Sequence, residues 1–221
     1  MLFDLRSRGR RRTVQAVYLG LAVLLGGGLI LFGVGAGSGG GILNAFTGGG
    51  SSGAQKQVIS QQEKQALAAV KLNPNDAVAW GQLVSARYTA ATSDAGNFDQ
   101  NTGAFTAAGK KKLTETTQAW QQYLKLTTKP DPTVSILAAR AYAQLSDYAN
   151  QAHAWELVTQ ADPTAAKNFA CLAASAYAAK QTRKGDLAAA KAISLTPKVS
   201  QLTLKQTLQQ AKTDPTVAQQ C

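Results

Sequence analysis

Residues 131–163 read "DPTVSILAARAYAQLSDYANQAHAWELVTQADP". The stretch opens on Asp131-Pro132 and closes on Asp162-Pro163, and about half of the residues between them are alanine, leucine or glutamine, which are helix formers. Similar proline junctions punctuate the rest of the chain: "NPND" at Pro74, "KPDP" at Pro130 and Pro132, and "TPK" at Pro197. Pro163 and Pro197 stand 34 positions apart, a period typical of stacked helical hairpins. The sequence therefore predicts an all-α fold built from repeated helix pairs.

The repeat resembles the tetratricopeptide (TPR) family, whose unit carries W-x2-L-[GA]-x2-Y on a first helix, small and aromatic residues on a second, and a proline near its end. In residues 131–163 Ala139 takes the small position, Tyr142 the first-helix aromatic, Tyr148 the start of the second helix, Trp155 the later aromatic and Pro163 the terminator. The following unit, "FACLAASAYAAKQTRKGDLAAAKAISLTP", supplies Ala174, Tyr177, Ala192, Leu195 and Pro197, with a one-residue slip between its helices. Upstream, "QQEKQALAAVKLNPNDAVAWGQLVSARY" reads as a second helix followed by a first helix, with Trp80 and Leu83 in the register set by Pro74. After Tyr88 about twenty residues interrupt the pattern before "LTETTQAWQQYLKL" resumes it, and Phe98 and Phe105 bracket a loop that their rings would pack. The resemblance implies three to four hairpins stacked as a short right-handed solenoid over residues 55–212, with "VSQLTLKQTLQQAK" as a capping helix and 213–221 as a C-terminal tail. Trp80, Trp120 and Trp155 are expected to pack between helices.

The chain before this domain is of another kind. Between Thr13 and Gln55 there is no Asp, Glu, Lys, Arg or His, and "VQAVYLGLAVLLGGGLILFGV" (residues 14–34) is predominantly apolar. Its 21 residues span roughly 31 Å as a helix, the thickness of a bilayer's hydrocarbon core, so it reads as a transmembrane helix rather than a cleaved signal. Arg6, Arg8, Arg10, Arg11 and Arg12 precede it in the basic segment 1–13, and no Lys or Arg follows until Lys56. By the positive-inside rule the N-terminus is cytoplasmic and the helical domain extracytoplasmic. Ala16/Gly20, Ala22/Gly26 and Gly33/Gly37 are small-xxx-small pairs suited to packing against another membrane helix. Residues 35–54 form a Gly/Ser-rich linker with a root-mean-square reach of about 25 Å. Within it Ile42, Leu43 and Phe46 form an apolar knot expected to dock weakly on lipid or a membrane partner.

The net charge of +11 is then partly a topology signal. Lys110-Lys111-Lys112 has no aromatic residues interleaved with it and reads as a solvated helix face, so no nucleic-acid partner is expected. Catalysis is not expected either: the single histidine, His153, has Glu156 three positions on, but no nucleophile elbow, phosphate loop or metal-spaced cluster accompanies them. No metal or other cofactor is implied, because the loop "DQNTG" reaches Lys110 where a calcium loop requires glutamate. Cys171 and Cys221, in a compartment that permits disulfides, either form one bridge tying the tail to the domain or remain two thiols.

TPR arrays bind peptides or proteins along the face lined by their first helices. Carried over position by position, that resemblance implies a groove of Val78, Gly81, Gln82, Ser85 and Tyr88, then Thr133, Ile136, Leu137 and Arg140, then Asn168, Cys171, Leu172 and Ser175. The basic clamp with which some members hold a C-terminal carboxylate is missing, Arg140 being the one cation among these positions. A mildly apolar groove for extended or helical segments remains; alternatively, these residues bury against the loop insertion or the terminal helix. The whole plan resembles the bacterial family of ancillary translocon subunits, single-pass TPR proteins that work beside the Sec channel. The resemblance implies a translocon-associated chaperone or adaptor at the cell membrane. The competing expectation is a structural scaffold that recruits one envelope-assembly or cell-wall partner.

Overall fold

The computed structural model describes residues 52–99 and 101–221. The expected basic segment, transmembrane helix and apolar knot (Ile42, Leu43, Phe46) lie outside the described residues, as does most of the linker. No described helix is long and apolar enough to cross a membrane. The described chain is α-helical: α1 (Ser52–Leu72), α2 (Ala77–Ser93), a 3-10 turn (Ala95–Asn97), α3 (Ala107–Leu126), α4 (Pro132–Gln144), α5 (Tyr148–Ala161), α6 (Ala166–Ala178), α7 (Thr182–Leu195), α8 (Lys198–Ala211) and a single turn α9 (Thr216–Gln219). Consecutive helices pack as hairpins, α1 on α2, α2 on α3, α4 on α5 and α6 on α7, and α5 also packs on α6.

At several helix starts a short acidic side chain satisfies the orphan N–H groups, whereas α6 and α8, after Pro163 and at Pro197, start without a side-chain cap. Asp76 accepts from Val78 N and Ala79 N at the head of α2, and Asp147 from Asn150 N at the head of α5. Asp131 accepts from Thr133 N at 2.7 Å and Val134 N at 3.2 Å, with Pro132 in the first turn, where a missing N–H costs nothing. Replacing Asp131 with alanine is expected to lower the unfolding free energy by about 1 kcal/mol, measured by urea denaturation, whereas Asp131→Asn should restore most of the loss because the amide oxygen caps equally well.

The repeat is a property of the backbone. α4 and α6 begin at Pro132 and Ala166 and end at Gln144 and Ala178; α5 and α7 begin at Tyr148 and Thr182 and end at Ala161 and Leu195, an offset of 34 at every boundary. The turn inside each hairpin repeats too. Ser146 (φ 58°) and Lys180 (φ 61°) both take the left-handed conformation. Around them Asp147 N donates to Tyr142 O at 2.9 Å and Gln181 N to Ala176 O at 2.8 Å, the six-residue closure that ends a helix. The expected one-residue slip is therefore absent from the backbone. What moves is a side chain: the tyrosine of the first unit is at 142 and that of the second at 177. Its ring lies against Gly185, where an added Cβ would come within 2.5 Å of two ring carbons. A glycine on the facing helix makes room for the displaced ring.

The interruption after α2 is shorter than its composition suggests. α2 runs on to Ser93, and α3 starts at Ala107 rather than Leu113, so Lys110, Lys111 and Lys112 belong to its first turns. Thr106 Oγ1 caps that start by accepting from Gly109 N at 3.3 Å. The cationic first turns oppose the helix dipole, but Lys112 is held at 3.2 Å by Glu63 of α1, which also lies 3.9 Å from Arg87 of α2. The loop closes through a bridge between Phe98 and Phe105, with ring centroids 4.1 Å apart. Asn97 fixes it to α2 by donating from Nδ2 to Ala91 O at 3.0 Å.

One main core runs through the hairpins, with Leu83, Val84, Trp120, Tyr142, Trp155, Val158 and Leu172 among many alanines that allow close helix approach. Trp120 and Trp155 are buried between helices. Trp80 is half-buried, and its Nε1 donates to Pro74 O at 2.8 Å, so it also braces the α1–α2 turn. A smaller cluster of Ala91, Leu113 and Ala141, lined by Tyr88, Phe105 and Leu145, joins the loop to the hairpins.

Candidate partner-binding surface

The residues expected to form a groove lie on α2, α4 and α6 but meet different surroundings. On α2, Val78 and Gln82 are exposed, while Ser85 is half-buried and turns its hydroxyl back to Gly81 O at 3.1 Å. Tyr88, further along, packs in the smaller cluster beside Phe105 of the loop. Burial pushes its phenol above the usual range, and the positive charge of Arg140 on α4 opposes the shift. On α4, Thr133 and Arg140 are exposed, and Ile136 and Leu137 are half-buried. On α6, Asn168 is half-buried, but Cys171, Leu172 and Ser175 are buried, with Ser175 Oγ donating to Cys171 O at 2.8 Å.

The α6 positions are buried because the C-terminal segment folds back over them. α9 packs on both α4 and α6, and Val217 and Ala218 are buried there. The segment is pinned at four points. Cys221 is disulfide-bonded to Cys171, and Arg140 Nε donates to Cys221 O at 3.2 Å. Gln219 Nε2 donates to Tyr148 OH at 3.1 Å, and the fully buried Gln151 of α5 donates from Nε2 to Ala218 O at 2.7 Å. Residues 213–221 are thus a packed part of the domain, and they bring Arg140 and Cys171 of the expected groove together around one chain end. Gln151, Val217 and Ala218 had no signal in the sequence, and Tyr148 had one only as the start of a second helix, because a glutamine within a helix reads as surface until its neighbours are known.

At the other side of α6, α8 crosses from α7 and leaves an open cleft of about 500 Å³ lined by Ala166, Ala170, Val199, Thr203 and Leu204. α8 buries Leu208 and Ala211, while Val199 and Leu202 remain 91% and 67% exposed. Its C-terminal end is locked by a polar group. Tyr177 OH donates to Asp186 Oδ1 at 2.8 Å, Lys212 Nζ reaches the same oxygen at 3.1 Å, and Lys212 lies 5.1 Å above the tyrosine ring. Tyr177 is pushed well above its ordinary pKa by burial first, then by the hydrogen bond to Asp186 and its negative charge. The Asp186 carboxyl is held below its usual range chiefly by the tyrosine's hydrogen bond, with Lys212 adding to it.

The Tyr177 shift has a definite sign. The folded state favours the protonated phenol, so its contribution is fully present below the unfolded value near pH 10 and is lost progressively above it. The urea midpoint of the wild-type chain is expected to fall between pH 9 and pH 11. Tyr177→Phe should show a smaller fall, with the remainder coming from Tyr88 and Tyr142, whose phenols are raised by burial as well.

The histidine and acid singled out from the sequence form part of an ion-pair group. His153 Nδ1 lies 3.8 Å from Glu156 Oε2, but that carboxylate is already paired with Lys184 at 3.0 Å. Among the described residues no group of three His, Cys, Asp or Glu side chains is arranged to hold a metal ion. A scan of the sequence against protein-family models matches none, and a search of curated proteins gives no significant match.

Proposed function

We propose that this chain is a single-pass, membrane-anchored TPR-like protein whose extracytoplasmic helical hairpins bind other proteins, and that it acts by binding rather than catalysis. The observation that carries this reading is the 34-position offset at every boundary of two successive hairpins, including their left-handed turns at Ser146 and Lys180. Such an array presents its first helices side by side as an interaction face. The uncharged, apolar window at residues 14–34 behind a run of arginines supports the anchor and its orientation.

The open part of the face is the stretch on α2 and α4 that carries exposed Gln82, half-buried Ser85, Ile136 and Leu137, and exposed Arg140. In the translocon-associated reading this stretch briefly holds apolar segments of emerging proteins while the linker keeps the domain near the membrane exit. The scaffold reading, in which one envelope partner docks there, is favoured by the covered α6 face, because a shorter open surface suits a single fitted partner. Photo-cross-linking in intact cells from Gln82 and Leu137, with buried Leu172 as the control, separates the two. Adducts with many secreted and membrane proteins and the Sec channel support the chaperone. One dominant envelope protein supports the scaffold. An absence of adducts from both positions refutes the interaction face.

A further inference from the structure

The C-terminal segment is held the way a bound peptide would be. Val217 and Ala218 are buried in a slot between α4 and α6, and the donors that reach them come from other helices: Gln151 Nε2 to Ala218 O at 2.7 Å and Arg140 Nε to Cys221 O at 3.2 Å. The fit is incomplete on one side. Gln151 is fully buried, yet its Oε1 has no hydrogen-bond partner, which is a costly state for an amide oxygen. The two buried residues of the resident segment do not fill it, because their N–H groups are used inside the turn, Val217 N donating to Asp214 O and Ala218 N to Pro215 O. An extended backbone offers a carbonyl and an N–H to the same amide.

We propose that this slot is a peptide-binding site for an extended segment with a pair of small apolar side chains, and that residues 213–221 occupy it as a helical-turn placeholder, released when the Cys171–Cys221 bond is reduced. The inference rests on the proposed interaction face and extends it to α6. A dithiol reductant supplies the electrons. Its thiolate attacks Cys221 Sγ, since Cys221 is half-buried whereas Cys171 is 3% exposed. The Sγ–Sγ bond breaks, and Cys171 leaves as a thiolate and is protonated. The second thiol of the reductant then displaces Cys221, which is also protonated, and the reductant departs as a disulfide carrying the two-electron oxidation. The segment is then kept by its hydrogen bonds and two small buried side chains alone. It remains a competitor at an effective concentration of about millimolar through its tether, so a ligand must match or exceed its fit.

The test uses the full chain and a fluorescein-labelled peptide of sequence TDPTVAQQ, followed by anisotropy. The oxidised wild-type chain is expected not to bind it. A Val217→Asp, Cys221→Ser chain, whose own segment is expelled by the buried charge, should bind at least tenfold more tightly than the oxidised chain, and adding Gln151→Ala should remove that gain. Hydrogen exchange on the wild-type chain provides the second readout: reduction should speed exchange in residues 213–221 at least tenfold and leave α4 and α5 protected. Equal binding by oxidised and expelled chains, unchanged exchange in the segment, or loss of protection throughout α4 to α7 overturns the proposal. Failure here is distinct from failure of the interaction face. Adducts from Gln82 on α2 without peptide binding leave the face standing and remove the slot, and peptide binding without adducts from Gln82 or Leu137 does the reverse.

Discussion

Trp120→Ala is expected to lower the unfolding free energy by about 3–5 kcal/mol, the range for removing a buried tryptophan from a core that collapses only partly. Trp120 is 1% exposed and is the largest fully buried side chain among the described residues. Its ring pairs with that of Tyr123 one helical turn on, with centroids 5.5 Å apart. The position magnifies the loss. α3 packs on α2 and on α4, so it couples the first hairpin, with its loop insertion, to the repeated hairpins that follow. In a stacked array stability is the sum of unit and nearest-neighbour contributions. The substitution should therefore weaken one joint and split the urea transition, with α1–α3 melting before α4–α9. Far-UV circular dichroism across a urea series reads both effects, and His153→Ala, at an exposed site, should stay within about 0.5 kcal/mol of wild type. A single transition with an unchanged midpoint would show that Trp120 does not carry the joint.

Removing the disulfide is expected to have the next largest effect. Cys171 and Cys221 are separated by 50 positions, and the chain-entropy relation for a loop of that length gives about 4 kcal/mol, at the upper end of the usual 2–4. Cys221→Ser should lower the oxidised chain's unfolding free energy by that amount. Dithiothreitol should shift the wild-type midpoint equally and leave the variant's unchanged. The closed loop includes α6 to α9, so in a Trp120→Ala background the loss should fall on the later transition and spare that of α1–α3. A variant as stable as the oxidised wild type would mean that the segment is held wholly by its packing.

These effects fall where sequence and structure contributed unequally. The helix pairs were legible because their signals are local: prolines near the starts of α2, α4, α6 and α8, capping aspartates at α2, α4 and α5, and alanine-rich segments between them. Asp76, Asp131 and Asp147 cap as their positions imply. The start of α3 was not legible. The run Ala107–Lys112 falls at the end of the insertion in the sequence pattern, although its lysines suit a solvated helix face; in the fold Thr106 caps the helix, and Glu63, 49 residues away in the sequence, pairs with Lys112. The slip read at Tyr177 had a similar origin. A pattern of residue types cannot distinguish a shifted backbone from a shifted side chain, and the answer lay with Gly185 on the next helix.

The sequence by itself indicated that residues 55–212 are α-helical, that their helices come in pairs, and that two of the pairs repeat at 34 positions, because caps, turns and helix propensity act over a few residues. Only the tertiary structure decided the fate of the surface those pairs create. Tyr88 lies against the loop insertion, Leu172 and Ser175 are buried, and the last nine residues lie across α4 and α6 with Arg140, Tyr148 and Gln151 as their donors and acceptors. Those contacts join positions as far as 81 residues apart. Burial and hydrogen bonding over such distances depend on which faces meet once the helices stack, and no short pattern of residues encodes that meeting.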